Sequence, residues 1–348
     1  PLIIKLRDNP IIRLRVICSG QHKDMIRPIM NIFEIVEDDN FEIMKKKQTL
    51  NYLIIETIKK LEEEFTINKP DLVLVQGDTS TAFATALCAF NNGIKVGHIE
   101  AGLRTNNLLE PFPEEGNRRL ITQIAELHFA PTELSKKNLI DSNIKDNIFV
   151  TGNTVIDSLF YVSNKNKEID NSNNLIYNKE FILATIHRRE NWGKNLNNIC
   201  KGLKLIAESK EDLYILLPMH PNQIIRDKLV ENLGNCERII LTGAMPYDKF
   251  VDVMGKCRLV ITDSGGLQEE APSLCKPVLI LRNFTERTEA IDAGTAKLIG
   301  TSPSNIFKET NILLENESVF RRMANAKNPF GDGLASLRIM KKCLKEIL

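Results

Sequence analysis

No apolar run in this chain reaches the roughly 18 residues that a bilayer-crossing helix needs. No charged stretch leads into a short apolar core of the kind that directs secretion. The seven cysteines, Cys18, Cys88, Cys200, Cys236, Cys257, Cys275 and Cys343, never form a C-x-x-C pair and never group with histidine at zinc-binding spacing. An odd, scattered set of this kind fits reduced thiols in a cytoplasmic protein. Charge of one sign is not in surplus either: 46 Lys and Arg face 45 Asp and Glu, a net charge of +1, so neither a nucleic-acid partner nor a membrane surface is expected. The G-x-G-x-x-G fingerprint of dinucleotide enzymes is missing, and there is no internal repeat or long low-complexity tract.

At 348 residues, 43% of them hydrophobic, the chain is long enough to bury two cores. Short β-branched runs alternate with longer helical patterns. Leu14–Cys18, Leu72–Val75, Lys95–Ile99, Leu127–Ala130 and Ile148–Thr151 read as buried strands, with helical periodicity over Thr49–Phe65 and Thr81–Asn91. A second series follows at Phe181–Thr185, Leu213–Pro218, Arg238–Leu241, Leu259–Thr262, Val278–Leu281 and Ala296–Ile299. The fold class is therefore α/β, with two doubly wound, Rossmann-like domains whose parallel sheets face across a cleft. The expected division is an N-terminal domain over residues 1–163, an Asn- and Lys-rich linker over 164–180, a C-terminal domain over 181–334 and an amphipathic helix over 335–348 that crosses back to the first domain.

Chemistry-bearing residues collect where strands end. Gly77-Asp78 follows the LVLV strand and opens a helix, so Asp78 is either a reactive carboxylate at the strand's end or only the helix N-cap. Glu100 and Arg104 leave the next strand, where a surface ion pair would also explain them. Glu114 and Glu115 follow Pro113 and suit the first turn of a helix. Taken together, Asp78, Glu100 and Glu114 are three carboxylates at the rim of one sheet, an arrangement that serves general acid–base work on a sugar carbon. In the second series His187 heads the run HRREN at a strand end, and its two arginines suit a phosphate or diphosphate. Ser264-Gly265-Gly266 offers backbone N–H groups at a helix start, and Glu269 or Glu270 lies one turn on, within reach of a ribose. Arg287 is a further phosphate partner or a helix-surface charge. A nucleotide sugar fits this set better than NAD does.

The runs GDTSTAFAT, HIEAGLRT, PFPEEGNRR, TGNTVIDSL, HRREN, TDSGGLQEEAPSL, KPVLILRNFTERTEA and NPFGDG, from about Gln21 to Asp332, together resemble the non-hydrolysing UDP-N-acetylglucosamine 2-epimerases. The resemblance implies a GT-B arrangement and interconversion of UDP-GlcNAc and UDP-ManNAc, by anti elimination of UDP to 2-acetamidoglucal and re-addition. It implies no exogenous cofactor, no metal and a homodimer. It puts catalytic roles on Asp78, Glu100, Glu114 and His187, and substrate or UDP contacts on Arg118, Arg188, Ser264, Gly265, Gly266 and Glu270, with Arg287 matching less closely. Gln21, Arg188 and His220 match a second, activating UDP-GlcNAc site, although Asp24 stands where many members have Gln. Members of the family open with a strand and a G-T-R-P-E-A-I-K-like loop, whereas Pro1–Leu6 matches the interior of the helix that follows. A strand central to a 3-2-1-4-5-6 sheet and a cationic loop are therefore expected upstream, and poor folding and little activity without them. The competing readings are a GT-B glycosyltransferase, which would not need the carboxylate trio, a hydrolysing epimerase, and a UDP-sugar-binding protein without activity.

Overall fold

A computed structural model describes residues 1–20, 23–45, 48–105, 107–166 and 179–348. The chain divides into two compact units, Pro1–Ser158 with Phe330–Leu348, and Leu159–Pro329.

The first unit holds strands β1 (Ile17–Cys18), β2 (Asp39–Asn40), β3 (Leu72–Gln76), β4 (Lys95–Ile99), β5 (Leu127–Ala130) and β6 (Ile148–Val150). Helices α1 (Leu2–Arg7), α2 (Lys23–Ile32), α3 (Leu50–Ile67), α4 (Ser80–Asn91), α5 (Glu114–Ile124) and α6 (Glu133–Asp141) are interleaved with them, and α7 (Thr154–Asn166) runs on into the second unit. All pairings are parallel. β3-β4-β5-β6 form one sheet and β1-β2 a separate pair. Parallel strands need crossovers that cover both faces, which is why β3–β6 are mostly apolar on both faces rather than alternating. Val75, Val96, Leu127 and Phe129 are buried on the sheet, and Leu61, Phe65 and Ile121 pack from the helices. Each such side chain contributes about 1.5–3 kcal/mol on leaving water. The expected strand over 14–18 shrinks to Ile17–Cys18, because the carboxylate of Asp38 takes the Val16 N–H at 2.7 Å and its own N–H returns to Val16 O at 2.7 Å.

The second unit carries β7 (Glu180–Thr185), β8 (Leu213–Pro218), β9 (Ile239–Thr242), β10 (Val260–Thr262), β11 (Val278–Ile280) and β12 (Ala296–Leu298). Its helices are α8 (Lys194–Ser209), α9 (Gln223–Leu233), α10 (Tyr247–Lys256), α11 (Gly265–Glu270), α12 (Thr288–Asp292), α13 (Pro303–Glu315) and α14 (Glu317–Ala324). The sheet runs β12-β11-β10-β7-β8-β9, all parallel. Numbered from β7, that is the doubly wound order 6-5-4-1-2-3, which reverses between β7 and β10. Ligands of such sheets bind beyond the carboxyl ends of the strands at that reversal. Of the expected linker, α7 covers the start as far as Asn166 and β7 takes Glu180.

The last helix, α15 (Ala335–Ile347), belongs to the first unit. The Asp157 carboxylate accepts its leading N–H groups, Ala335 at 3.1 Å and Ser336 at 2.8 Å, and Ile339 and Cys343 enter the core beside Ile99 and Phe129. Among the described residues no helix is long and apolar enough to cross a membrane, and all seven cysteines are free thiols.

Candidate active site

In the first unit the rim is built on two strand ends and one helix start. Gly77 turns the chain out of β3 with φ +67°, a conformation open to glycine at little cost. The turn is held by Gly77 N–H donating to Ile99 O at 3.0 Å and by His98 Nε2–H donating to Gly77 O at 2.9 Å. Burial pushes the His98 imidazole down to about 4, so this strut is neutral at physiological pH. The two readings of Asp78 are resolved by its neighbour: Thr79 caps α4, its Oγ1 accepting from Ala82 N at 3.1 Å, which leaves the Asp78 carboxylate for other work. That carboxylate takes a short hydrogen bond from Arg118 Nη2, and Asn117 Nδ2 donates to Asp78 O at 2.9 Å. Arg118 is fixed from its other side by Glu115, at 3.3 Å, and Glu115 also accepts from Arg119 Nε at 2.7 Å and Thr105 N at 3.0 Å. Glu115 is wholly buried and supports the rim from beneath.

Glu100 leaves β4 with φ +63°, left-handed backbone in a residue with a side chain. Such strain costs about 1–3 kcal/mol and persists where the surroundings impose it. Its Oε2 lies 3.7 Å from the position a Cβ on Gly77 would occupy, so Glu100 and Asp78 flank one turn. Arg104 turns to Leu103 O at 2.8 Å and Thr122 Oγ1 at 3.0 Å; burial pulls its guanidinium down to about 10. Glu114 opens α5 one turn before Arg118, and its Oε2 is buried with no hydrogen-bond partner. A buried acceptor left open costs about 1–3 kcal/mol and marks a place for a donor that the fold itself does not supply.

The second unit gathers His187, Arg188, Gly265 and Arg287 at the carboxyl ends of β7 and β10. Asp263, which the motif reading passed over, ties the cluster together. It accepts from the N–H groups of His187 and Arg188, both at 3.0 Å, from Asn191 Nδ2 at 2.9 Å and from His187 Nδ1 at 3.0 Å. Burial alone would raise its pKa, but these donors, His187 foremost, hold it below the ordinary value. The His187 ring stacks on His220, centroids 6.4 Å apart, and His220 Nδ1 accepts from Asn222 N at 3.1 Å. Arg188, Arg282 and Arg287 converge on Glu286, the first two at 3.1 and 2.9 Å and Arg287 at 2.5 Å. Burial pushes that carboxyl up, yet the three guanidinium groups outweigh it and hold it at about 2. Arg287 lies across the start of α11: a Cβ on Gly265 would come 2.6 Å from its Nη1 and 3.3 Å from Arg188 Nη2. Only glycine admits both cations so close to the backbone. Arg287 also pairs with buried Glu269 at 2.7 Å, which commits Glu269 to the protein. Glu270 accepts from Tyr247 OH at 2.6 Å, and burial with Glu269 nearby raises its carboxyl to about 7. Ser264 and Gly266 border the same turn, with Ser264 N–H donating to Thr262 Oγ1 at 2.9 Å. Gln21 and the side chain of Asp24 lie outside the described residues. Among the described residues no group of three or more His, Cys, Asp or Glu could hold a metal ion.

A carboxylate rim on one Rossmann-like unit, and a cationic turn at the strand-order reversal of another, define an α/β enzyme of the GT-B class. The family described as UDP-N-acetylglucosamine 2-epimerase matches residues 4–344. The Escherichia coli K12 UDP-N-acetylglucosamine 2-epimerase is 42% identical over 98% of this chain and 93% of its own, and the Bacillus subtilis enzyme of the same name is 42% identical over 99% and 90%. Among solved structures, the Neisseria meningitidis UDP-GlcNAc 2-epimerase bound to UDP-GlcNAc superposes with a TM-score of 0.90 at 42% identity, covering 99% of this chain and 95% of that one. The Methanocaldococcus jannaschii UDP-GlcNAc 2-epimerase in complex with UDP-GlcNAc and UDP gives 0.82 at 32% identity, over 99% and 95%. The chain belongs to the UDP-N-acetylglucosamine 2-epimerase family.

Proposed function

We propose that this chain interconverts UDP-GlcNAc and UDP-ManNAc, with proton chemistry at C2 assigned to Asp78, Glu100 and Glu114. In the forward direction a carboxylate removes the C2 proton, the C1–O bond breaks and its electron pair leaves with UDP, giving 2-acetamidoglucal. In the return step UDP re-attacks C1 while a proton reaches C2 from the opposite face. Nothing is oxidised or reduced, and the proton lost in one half is restored in the other. Inversion requires proton transfer on both faces of C2, which is why more than one carboxylate is wanted. The observation that carries this reading is the rim itself: Asp78 freed from capping by Thr79 and charged against Arg118, with Glu114 holding a buried oxygen open.

Departure of UDP builds negative charge on the diphosphate. Arg188 and Arg287, with the Ser264-Gly265-Gly266 turn, are assigned to it, His187 to proton transfer in the reaction, Glu270 to the ribose, and Arg118 to the substrate through the carboxylate it holds. We further assign the chain to a cytoplasmic homodimer serving polysaccharide biosynthesis, with Arg188 and His220 facing an activating second UDP-GlcNAc. The test is incubation with UDP-GlcNAc in deuterium oxide, followed by proton NMR. UDP-ManNAc carrying deuterium at C2 is expected. UDP with free ManNAc as the lasting products would assign a hydrolysing enzyme instead, and bound but unchanged UDP-GlcNAc a binding protein.

A further inference from the structure

Asp263 has five hydrogen bonds to account for and no role in the assignments above. Its Oδ1 faces the His187 N–H and the imidazole Nδ1, each at 3.0 Å. Its Oδ2 faces Arg188 N at 3.0 Å, Asn191 Nδ2 at 2.9 Å and His187 N at 3.1 Å. Asn191 is itself anchored on Leu281 O at 3.2 Å, so the carboxylate is held by groups that cannot easily turn. The side chain of Asp263 is 0% exposed while that of His187 is 40% exposed, so one nitrogen of the ring points into the protein and the other meets solvent or ligand. The His220 ring lies nearly parallel to it, with centroids 6.4 Å apart.

We infer that Asp263 is a positioning residue for the epimerisation: it commits the Nδ1–H of His187 to its own carboxylate, so that Nε2 is the nitrogen that meets the substrate. This rests on the assignment of His187 to the reaction. The geometry also specifies what an amide would do in its place. In Asp263→Asn the side-chain oxygen belongs on the side with three donors, leaving the NH2 toward His187 Nδ1. Nδ1 must then accept, the ring proton moves to Nε2, and the neutral ring loses its acceptor on the substrate side.

Long-range proton–nitrogen NMR of protein labelled with 15N-histidine reads the tautomer directly. Only five histidines are present, and His187→Asn assigns the signal. The wild-type enzyme should show His187 protonated on Nδ1. Asp263→Asn should show it protonated on Nε2, with kcat lower by about 100-fold, the low end of what a misplaced acid–base group costs, and KM and UDP affinity within about threefold. A wild-type ring protonated on Nε2 alone overturns the inference even if the variant does not fold. So does a folded Asp263→Asn with an unchanged tautomer or kcat. Full activity in His187→Asn would instead remove the role of His187 on which the inference stands, an outcome the tautomer measurement keeps distinct.

Discussion

Glu286→Gln removes a single charge at the point where three arginines meet, and the structure sets the size of the effect. The carboxyl is held at about 2 against an ordinary 4.5, with its side chain 24% exposed. At about 1.4 kcal/mol per factor of ten in acidity, the ionised form is favoured in the fold by about 3 kcal/mol. The pKa is depressed, so this stability is present above the unfolded value of 4.5 and is lost as pH falls through 4.5 toward 2; roughly half has gone by pH 3. At pH 7 the variant should lose most of that amount, since three guanidinium groups lose their shared carboxylate while Glu190 still pairs with Arg282 and Glu269 with Arg287. For a unit of this size the loss lowers Tm by about 6–12 °C. Under the assignment proposed above, UDP brings its diphosphate to Arg188 and Arg287, so saturating UDP should raise Tm more in the variant than in the wild type. Differential scanning calorimetry at pH 7 and pH 3, with and without UDP, measures each quantity. A variant melting within about 2 °C of wild type at pH 7, or an equal UDP shift in both, would refute the view that Glu286 and the diphosphate share Arg188 and Arg287.

Four other substitutions follow from the geometry of the two rims. Asp78→Asn and Glu114→Gln should each reduce deuterium incorporation at C2 by at least about 100-fold while leaving UDP binding, followed by fluorescence of the lone Trp192, within about threefold. Gly265→Ala should fold, because the added methyl meets the far end of the flexible Arg287 side chain, but it displaces that guanidinium and should weaken UDP binding by about tenfold or more in the same titration. Glu270→Gln tests the opposite sign of linkage. The Glu270 carboxyl is raised to about 7, so the stability of its neutral form is present below 4.5 and lost as pH rises through 7. Between pH 5 and pH 8 the variant should therefore lose up to about 3 kcal/mol less than the wild type in urea denaturation.

The parts of this structure legible in the sequence are those written locally. A β-branched run such as LVLV, followed by a glycine and an acid, states both the strand and the carboxylate beyond its end, and β4, β5 and β8 span the residues their patterns indicate. β2 was not legible: Asp39–Asn40 sits in a run of acids with no apolar alternation, and it is a strand only because Ile17–Cys18 lies beside it. Nor could spacing decide between Asp78 and Thr79 as the cap, since either side chain serves an N-terminus equally well. The least legible features are the charge networks. Asp263 meets His187 across 76 residues and Glu286 meets Arg188 across 98, and no periodicity encodes which distant loops share a strand end. A sign was nonetheless present at Asp263: like Asp78, it is an acid directly following an apolar strand, in the run that ends in Gly265-Gly266.

The placement of α15 bears on how the chain is made. Ile339 and Cys343 fill the core beneath β4 and β5, the strands that carry Glu100 and border the carboxylate rim. The first unit is thus assembled from two stretches, Pro1–Ser158 and Phe330–Leu348, with all of Leu159–Pro329 between them. On the ribosome every residue of the intervening unit is made before those of α15. Until Ile339 and Cys343 emerge, the core beneath β4 and β5 lacks two of its members.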